Sequence, residues 1–99
     1  MAVAEISVVP VGTGSASISV FVARAVEIVR ASGLKYELSS MGTNVEGEIG
    51  AILNLVKQVH EACFSLGAQR VLTTLKVDDR KDKRLTIDGK KSAVTSKLG

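Results

Sequence analysis

Apolar and polar positions along the 99-residue chain alternate in four stretches and recur at helical spacing in two. Val3 to Val11 is rich in β-branched residues, with Ile6 and Val8 set against Glu5, Ser7 and Val9, and reads as a strand. Pro10 marks a strand end or a sheet edge, because it cannot donate to a ladder. Gly12-Thr13-Gly14-Ser15 breaks the pattern, and Thr13, Ser15 and Ser17 are candidate N-caps for a helix from about Ala16 to Ala31. Its apolar side carries Ile18, Phe21, Val22, Ala25, Val26 and Val29, with Arg24, Glu27 and Arg30 opposite. So many β-branched residues mean that packing, not propensity, must hold this helix. Ser32-Gly33 stops it.

Lys35 to Met41 reads as a short strand, with Tyr36 and Leu38 on one side and Glu37 and Ser39 on the other. After a turn at Gly42, Thr43 to Gly47 forms another. A helix from about Glu48 to Leu66 follows, with Ile49, Ile52, Val56, Val59, Cys63 and Leu66 as its apolar stripe and Gly67 as its stop. Arg70 to Asp78 is the fourth strand. Residues 88–98 carry a short-helix pattern through Val94 and Leu98, interrupted early by Gly89.

The order βαββαβ predicts a single α+β domain of the ferredoxin-like kind spanning residues 1–99. Its four-stranded antiparallel sheet carries two helices on one face, with a short C-terminal helix as an addition. Ile6, Val8, Leu38, Val45, Val71, Leu75 and Val77 then point at the helices. The other face receives Glu5, Ser7, Val9, Glu37, Ser39, Met41, Asn44, Glu46, Leu72, Thr74 and Lys76. That set is too apolar for a merely solvated face and too polar for a sealed core. It predicts an interface containing a small polar pocket, in a homodimer or homotetramer built on sheet contacts.

Composition narrows the function. Phe21, Tyr36 and Phe64 are the only aromatic residues, which disfavours nucleic-acid binding by base stacking. The net charge of +3 sits in residues 76–91, where seven Lys or Arg face four Asp, and the rest of the chain is balanced. No apolar run reaches the roughly 20 residues of a membrane span. Met1 to Val9 lacks a basic leader and meets Glu5 early, and Cys63 is the single cysteine, so a cytoplasmic setting is expected.

The candidate chemistry is sparse. Gly12-Thr13-Gly14-Ser15 lacks the Lys-Ser/Thr of a phosphate loop and reads as a capped turn. His60 and Cys63 share a helix but form neither a catalytic constellation nor a metal set. Asp78, Asp79 and Asp82 are interleaved with Arg80, Lys81, Lys83 and Arg84, which opposes cation binding. No catalytic residue, metal or cofactor is expected. Glu46, placed near Ser39, Met41 and Asn44, is a carboxylate suited to an amine-bearing or cationic ligand.

Three stretches carry a resemblance: VVPVGTGSASISVFVA (Val8 to Ala23), KYELSSMGTNVEGE (Lys35 to Glu48) and RVLTTLKVDDRKDK (Arg70 to Lys83). Together they resemble the small thiamine-binding-protein family, most specifically through Tyr36, Met41, Gly42, Thr43, Glu46 and Gly47. The resemblance implies a ferredoxin-like fold, a homotetramer, and binding of thiamine or its hydroxymethylpyrimidine portion without catalysis. Ser39, Thr43, Asn44 and Glu46 offer donors and acceptors to an aminopyrimidine, and Tyr36 offers a ring face to a thiazolium. Ser17, near the first helix start, completes the expected binding set, and the ligand pocket is expected on the open sheet face at an oligomer interface. The alternatives are an RNA-binding domain, suggested by the basic segment, and a purely structural oligomer. An acylphosphatase-like enzyme would need an anion cradle that the sequence lacks.

Overall fold

The computed structural model describes residues 1–98. Its elements are β1 (Ala2–Pro10), α1 (Ser19–Ala31), β2 (Lys35–Ser39), β3 (Gly42–Gly47), α2 (Ile49–Ser65), β4 (Val71–Asp79) and α3 (Ile87–Thr95). The sheet order is β2-β3-β1-β4 with every neighbouring pair antiparallel, which is the ferredoxin-like arrangement the element order predicts. Pro10 ends a strand that is central to the sheet, and Val11 continues the ladder by donating to the Arg70 carbonyl at 2.8 Å.

Period-two burial separates the two faces. Ala2, Ala4, Ile6 and Val8 of β1 and Val45 of β3 are buried beneath α1 and α2. They meet Ala25 and Val29 of α1 and Ile52, Leu55, Val59 and Cys63 of α2. Leu55 is sealed in this core, whereas Ile49 and Leu66, at the ends of the expected stripe, are half-exposed. Burial in this apolar setting pushes the Cys63 thiol up, away from the thiolate form that makes cysteine reactive.

Helix boundaries follow local chemistry, with one correction. Gly33 and Gly67 adopt φ of +78° and +100°, stopping α1 and α2 at the glycines expected. At its start, α1 begins at Ser19 rather than Ala16, with Ile18 in the cap position and no side-chain cap. Thr13 and Ser15 spend their hydroxyls on the loop itself. Thr13 donates to the Ser15 carbonyl at 3.1 Å, and Ser15 Oγ accepts the Ser17 N–H at 3.1 Å.

The C-terminal helix forms, and it lies on the sheet face opposite α1 and α2. Thr86 caps α3 by accepting the Gly89 N–H at 2.9 Å. Leu85 and Ile87 bury themselves at its start. Lys35 of β2 pairs with Asp88 at 2.5 Å, Lys91 reaches Glu37 of β2 at 3.1 Å, and Lys90 pairs with Asp78 of β4. The acids of the basic segment are thus largely engaged, with Asp82 held by Arg80. Part of the face that the alternation leaves open is therefore roofed.

Candidate functional site

The β2–β3 hairpin sets the site. Its register pairs Tyr36 with Val45, Leu38 with Thr43 and Ser39 with Gly42, leaving Ser40 and Met41 as the turn. The hairpin packs tightly on β1: a Cβ on Gly42 would lie 3.0 Å from the Ile6 carbonyl oxygen and 3.1 Å from Glu5 Cγ. Glycine at that position lets the turn settle against the central strand.

Between this turn and the first half of α1 lies a cavity of about 190 Å³, which reaches round the end of the hairpin and is lined by β1 positions of both parities from Ile6 to Val9. Ile6, Val8 and Thr43 line it from the sheet, and Ile18, Val22 and Ala25 from α1. Val59 of α2 closes its depth, and the exposed Leu38 and Met41 stand at its rim. No lining residue carries a charge. Pockets for drug-sized ligands measure about 300–1,000 Å³, so this cavity has room for a single ring.

The expected binding residues divide between the two faces. Thr43 lines the cavity from the helix face, and Ser39, which the register puts on the same face as Glu37 and Asn44, lines it at the turn. Ser39 Oγ donates to the Gly42 carbonyl at 2.9 Å, which braces the turn. Thr43 is only 6% exposed. Tyr36 also faces the helices but stands outside the cavity, and its hydroxyl accepts from Arg30 Nε at 3.2 Å. Asn44 lies on the opposite face, cross-strand from Glu5 and Glu37. Glu46 lies there too, buried to 7% exposure, and its Oε1 accepts the Ile87 N–H at 3.0 Å. Ser17 lines a separate shallow groove with Thr13 and Gly67, its hydroxyl 3.3 Å from that of Ser19. A pocket combining all six residues on the open face is thus not what the fold assembles, because odd and even strand positions point to opposite sides.

Sequence reasoning missed the α1 contribution. Ile18, Val22 and Ala25 read there only as core positions. The signal was the apolar character of Leu38 and Met41 flanking a turn, where solvated residues are the norm.

The remaining chemistry-bearing residues have structural partners. His60 Nδ1 and Thr73 Oγ1 lie 2.6 Å apart, joining α2 to β4, and the His60 ring meets Phe64 edge-on at 5.3 Å. Among the described residues, no group of three or more His, Cys, Asp or Glu side chains could hold a metal ion. No helix among them is long and apolar enough to cross a membrane.

Comparison with known proteins decides the family. The model of the family described as thiamine-binding protein matches residues 4–95. The chain belongs to this thiamine-binding protein family. It is 37% identical over 102 residues to the UPF0045 protein YqgV of Bacillus subtilis, covering 99% of this chain and 98% of that one. A UPF0045 protein of Methanothermobacter thermautotrophicus is 42% identical over 99 residues, covering 99% and 100%. Among solved structures, a hypothetical protein of Methanocaldococcus jannaschii superposes with a TM-score of 0.89 at 40% identity, covering 95% of each chain. A Thermotoga maritima protein for which a role in thiamine biosynthesis or salvage has been suggested gives 0.82 at 29% identity, covering 94% and 97%. The family is described by binding, and none of these descriptions names a catalytic activity.

Proposed function

We propose that the chain is a non-enzymatic small-molecule-binding protein that takes thiamine or its hydroxymethylpyrimidine portion in the cavity beside the β2–β3 turn. It would act in the cytoplasm as a carrier, buffer or sensor. The observation that carries this reading is the cavity itself: apolar, sized for one ring, and holding the buried hydroxyl-bearing Thr43. Aromatic rings gain from apolar walls, and a few placed polar groups fix their orientation. The cavity's walls contain no cysteine, histidine, lysine or carboxylate to serve as nucleophile or base, which favours binding over turnover. Family membership supplies the ligand class.

The same reading includes self-association as a homodimer or homotetramer. β4 leaves one long edge unpaired, and such edges invite a second copy. On the open face Val9 and Leu72 are exposed cross-strand neighbours, beyond the reach of the α3 ion pairs. RNA binding draws no support from that face, since Tyr36 turns toward the helices while Phe21 and Phe64 belong to α1 and α2.

Calorimetric titration of thiamine and of hydroxymethylpyrimidine, with the protein's mass in solution measured alongside, tests the reading. Saturable binding of either compound is expected. Heat from neither, with no shift in thermal midpoint, would remove it.

A further inference from the structure

We infer, resting on the binding role just proposed, that α3 positions the β2–β3 hairpin and thereby sets ligand affinity at the cavity beside it. Lys35, Glu37, Asp88 and Lys91 are then positioning residues that never touch the ligand. Ligand binding and the docking of α3 strengthen each other.

The hairpin is the cavity's adjustable wall. Leu38 through Thr43 line it without a break, across from the first half of α1. β2 is an edge strand of five residues, laddered to β3 alone. On the helix side it is held by Tyr36, which packs on the core and meets Arg30. On the other side its ion pairs run to α3.

That dock has a defined register. Lys35 and Glu37 stand two apart on β2, so both point to one face of the sheet. Asp88 and Lys91 stand three apart on α3, so both point to one side of the helix. Lys35 meets Asp88 and Glu37 meets Lys91, so opposite charges match at both positions. Sliding α3 until Asp88 faced Glu37 would set two carboxylates together. Lys90, about 200° round the helix from Asp88, reaches Asp78 on the strand at the other edge of the sheet. Lys35, Glu46, Val3 and Asp78 form one cross-strand row. Within that row Glu46 accepts the Ile87 N–H, and Leu85 and Ile87 are buried at the same end of α3. α3 is thus a strut across the sheet, fastened at both edges and between them.

Strut and wall are neighbours in the chain. Glu37 directly precedes Leu38, whose exposed side chain stands at the cavity rim. Freed of α3, β2 keeps its ladder and the Tyr36 contacts but loses the ion pairs of its open face. The turn beyond gains freedom, which a ligand must then remove on binding. Docking of α3 raises affinity by some factor, and the ligand favours docking by that same factor. The ion pairs are exposed and individually weak, so α3 can leave the sheet while the core stays folded.

The test combines calorimetric titration of thiamine and of hydroxymethylpyrimidine with amide exchange. It uses the unaltered chain, Lys91→Glu, the charge swap Glu37→Lys with Lys91→Glu, and Lys57→Glu, which makes the same charge change on the exposed side of α2. Lys91→Glu is expected to speed exchange in α3 but not in β1, and to weaken binding by about threefold. The charge swap should restore both readings, and Lys57→Glu should move neither. Saturating the unaltered chain with the compound that binds should slow exchange in α3. Unchanged affinity in Lys91→Glu with α3 exchanging faster would overturn the coupling and leave the binding role standing. Exchange in α3 unmoved by Lys91→Glu would overturn the positioning role of these residues. An equal loss in Lys57→Glu would reduce the effect to net charge and overturn it as well. Binding of neither compound to the unaltered chain would overturn this inference and the proposed function together.

Discussion

The Glu46 carboxylate accepts the Ile87 N–H at 3.0 Å, tying the third strand of the sheet to the first turn of α3. The first N–H groups of a helix have no partner within it, and an acceptor carried by another element answers the same need as a cap. Carboxylates are also favoured at that positive end. Glu46→Ala should therefore cost about 1–3 kcal/mol by leaving a buried donor unmet. Its α3 amides should lose hydrogen-exchange protection ahead of the sheet. Glu46→Gln keeps an acceptor oxygen, so it should hold α3 in place and leave ligand affinity unchanged. A loss of affinity in Glu46→Gln with α3 still protected would return this residue to the binding site.

The cap of α3 predicts an unusual response at Gly89. Glycine inside a helix is normally improved by alanine, by about 1 kcal/mol. Here a Cβ at position 89 would stand 2.7 Å from Thr86 Oγ1, the atom that accepts the Gly89 N–H. Losing that cap costs about as much as the substitution gains. Gly89→Ala should give no increase in thermal midpoint, and Thr86→Ala should fray α3 in amide exchange. A clear rise in midpoint for Gly89→Ala would show that the cap contributes little.

Acid should loosen α3 before it unfolds the core. The Lys35 ammonium, by hydrogen bonding and then by charge attraction, holds the Asp88 carboxyl below its ordinary value, and Asp88 raises Lys35 in return. A depressed carboxylate contributes stability above its unfolded pKa of about 3.9, and that contribution disappears as pH falls through the lowered folded value. The raised Lys35 acts in the alkaline range, its contribution disappearing as pH climbs through the folded value. Both partners are exposed, so the effect is small and sensitive to salt. Amide chemical shifts of α3 should move between about pH 5 and pH 2 while those of β1 stay fixed. Simultaneous movement of both sets would contradict this order.

Core and surface leucines on α2 should separate cleanly. Leu55 is 1% exposed and Leu53 is 51% exposed. Leu55→Ala should cost about 2–5 kcal/mol through lost burial and a residual void, while Leu53→Ala should stay within about 0.5 kcal/mol. Denaturant titration of both variants would show whether α2 is oriented as described.

Tyr36 offers a test of the site's boundary. Its hydroxyl meets Arg30 Nε, and the ring lies outside the cavity wall. Tyr36→Phe should leave ligand affinity within twofold while removing the influence that raises Arg30. A tenfold loss in titration would extend the site along β2.

The sheet and its two long helices were legible because each buries one periodic face. The i, i+3, i+4 run along α2 and the alternation of β1 are direct consequences of what touches water. The end of α1 was equally readable from Gly33, whereas its start was not, since Thr13 and Ser15 bond within their own loop and a hydroxyl's partner cannot be read from its type. Parity already placed Thr43 with Val45 on the helix face, two residues apart on one strand. Grouping it with Asn44 and Glu46 followed sequence nearness instead. The cavity lay beyond periodicity, because it exists only where residues from α1, β1 and the β2–β3 turn converge. The seat of α3 was hidden for a similar reason: Lys35, Glu37 and Asp78 choose partners some distance along the chain.

The pairing of β1 with β4 also governs how the chain assembles. Their register runs from Ala2 with Asp79 to Pro10 with Val71, so the earliest strand waits for one of the last before both its sides are paired. A growing polypeptide that has emerged only through α2 can close β1 against β3 but has nothing to lay along the other flank. Loop-closure entropy must be met before those distant contacts form, which slows the late step. During synthesis that bare flank is the stretch most open to a wrong partner, and its protection depends on how soon β4 arrives.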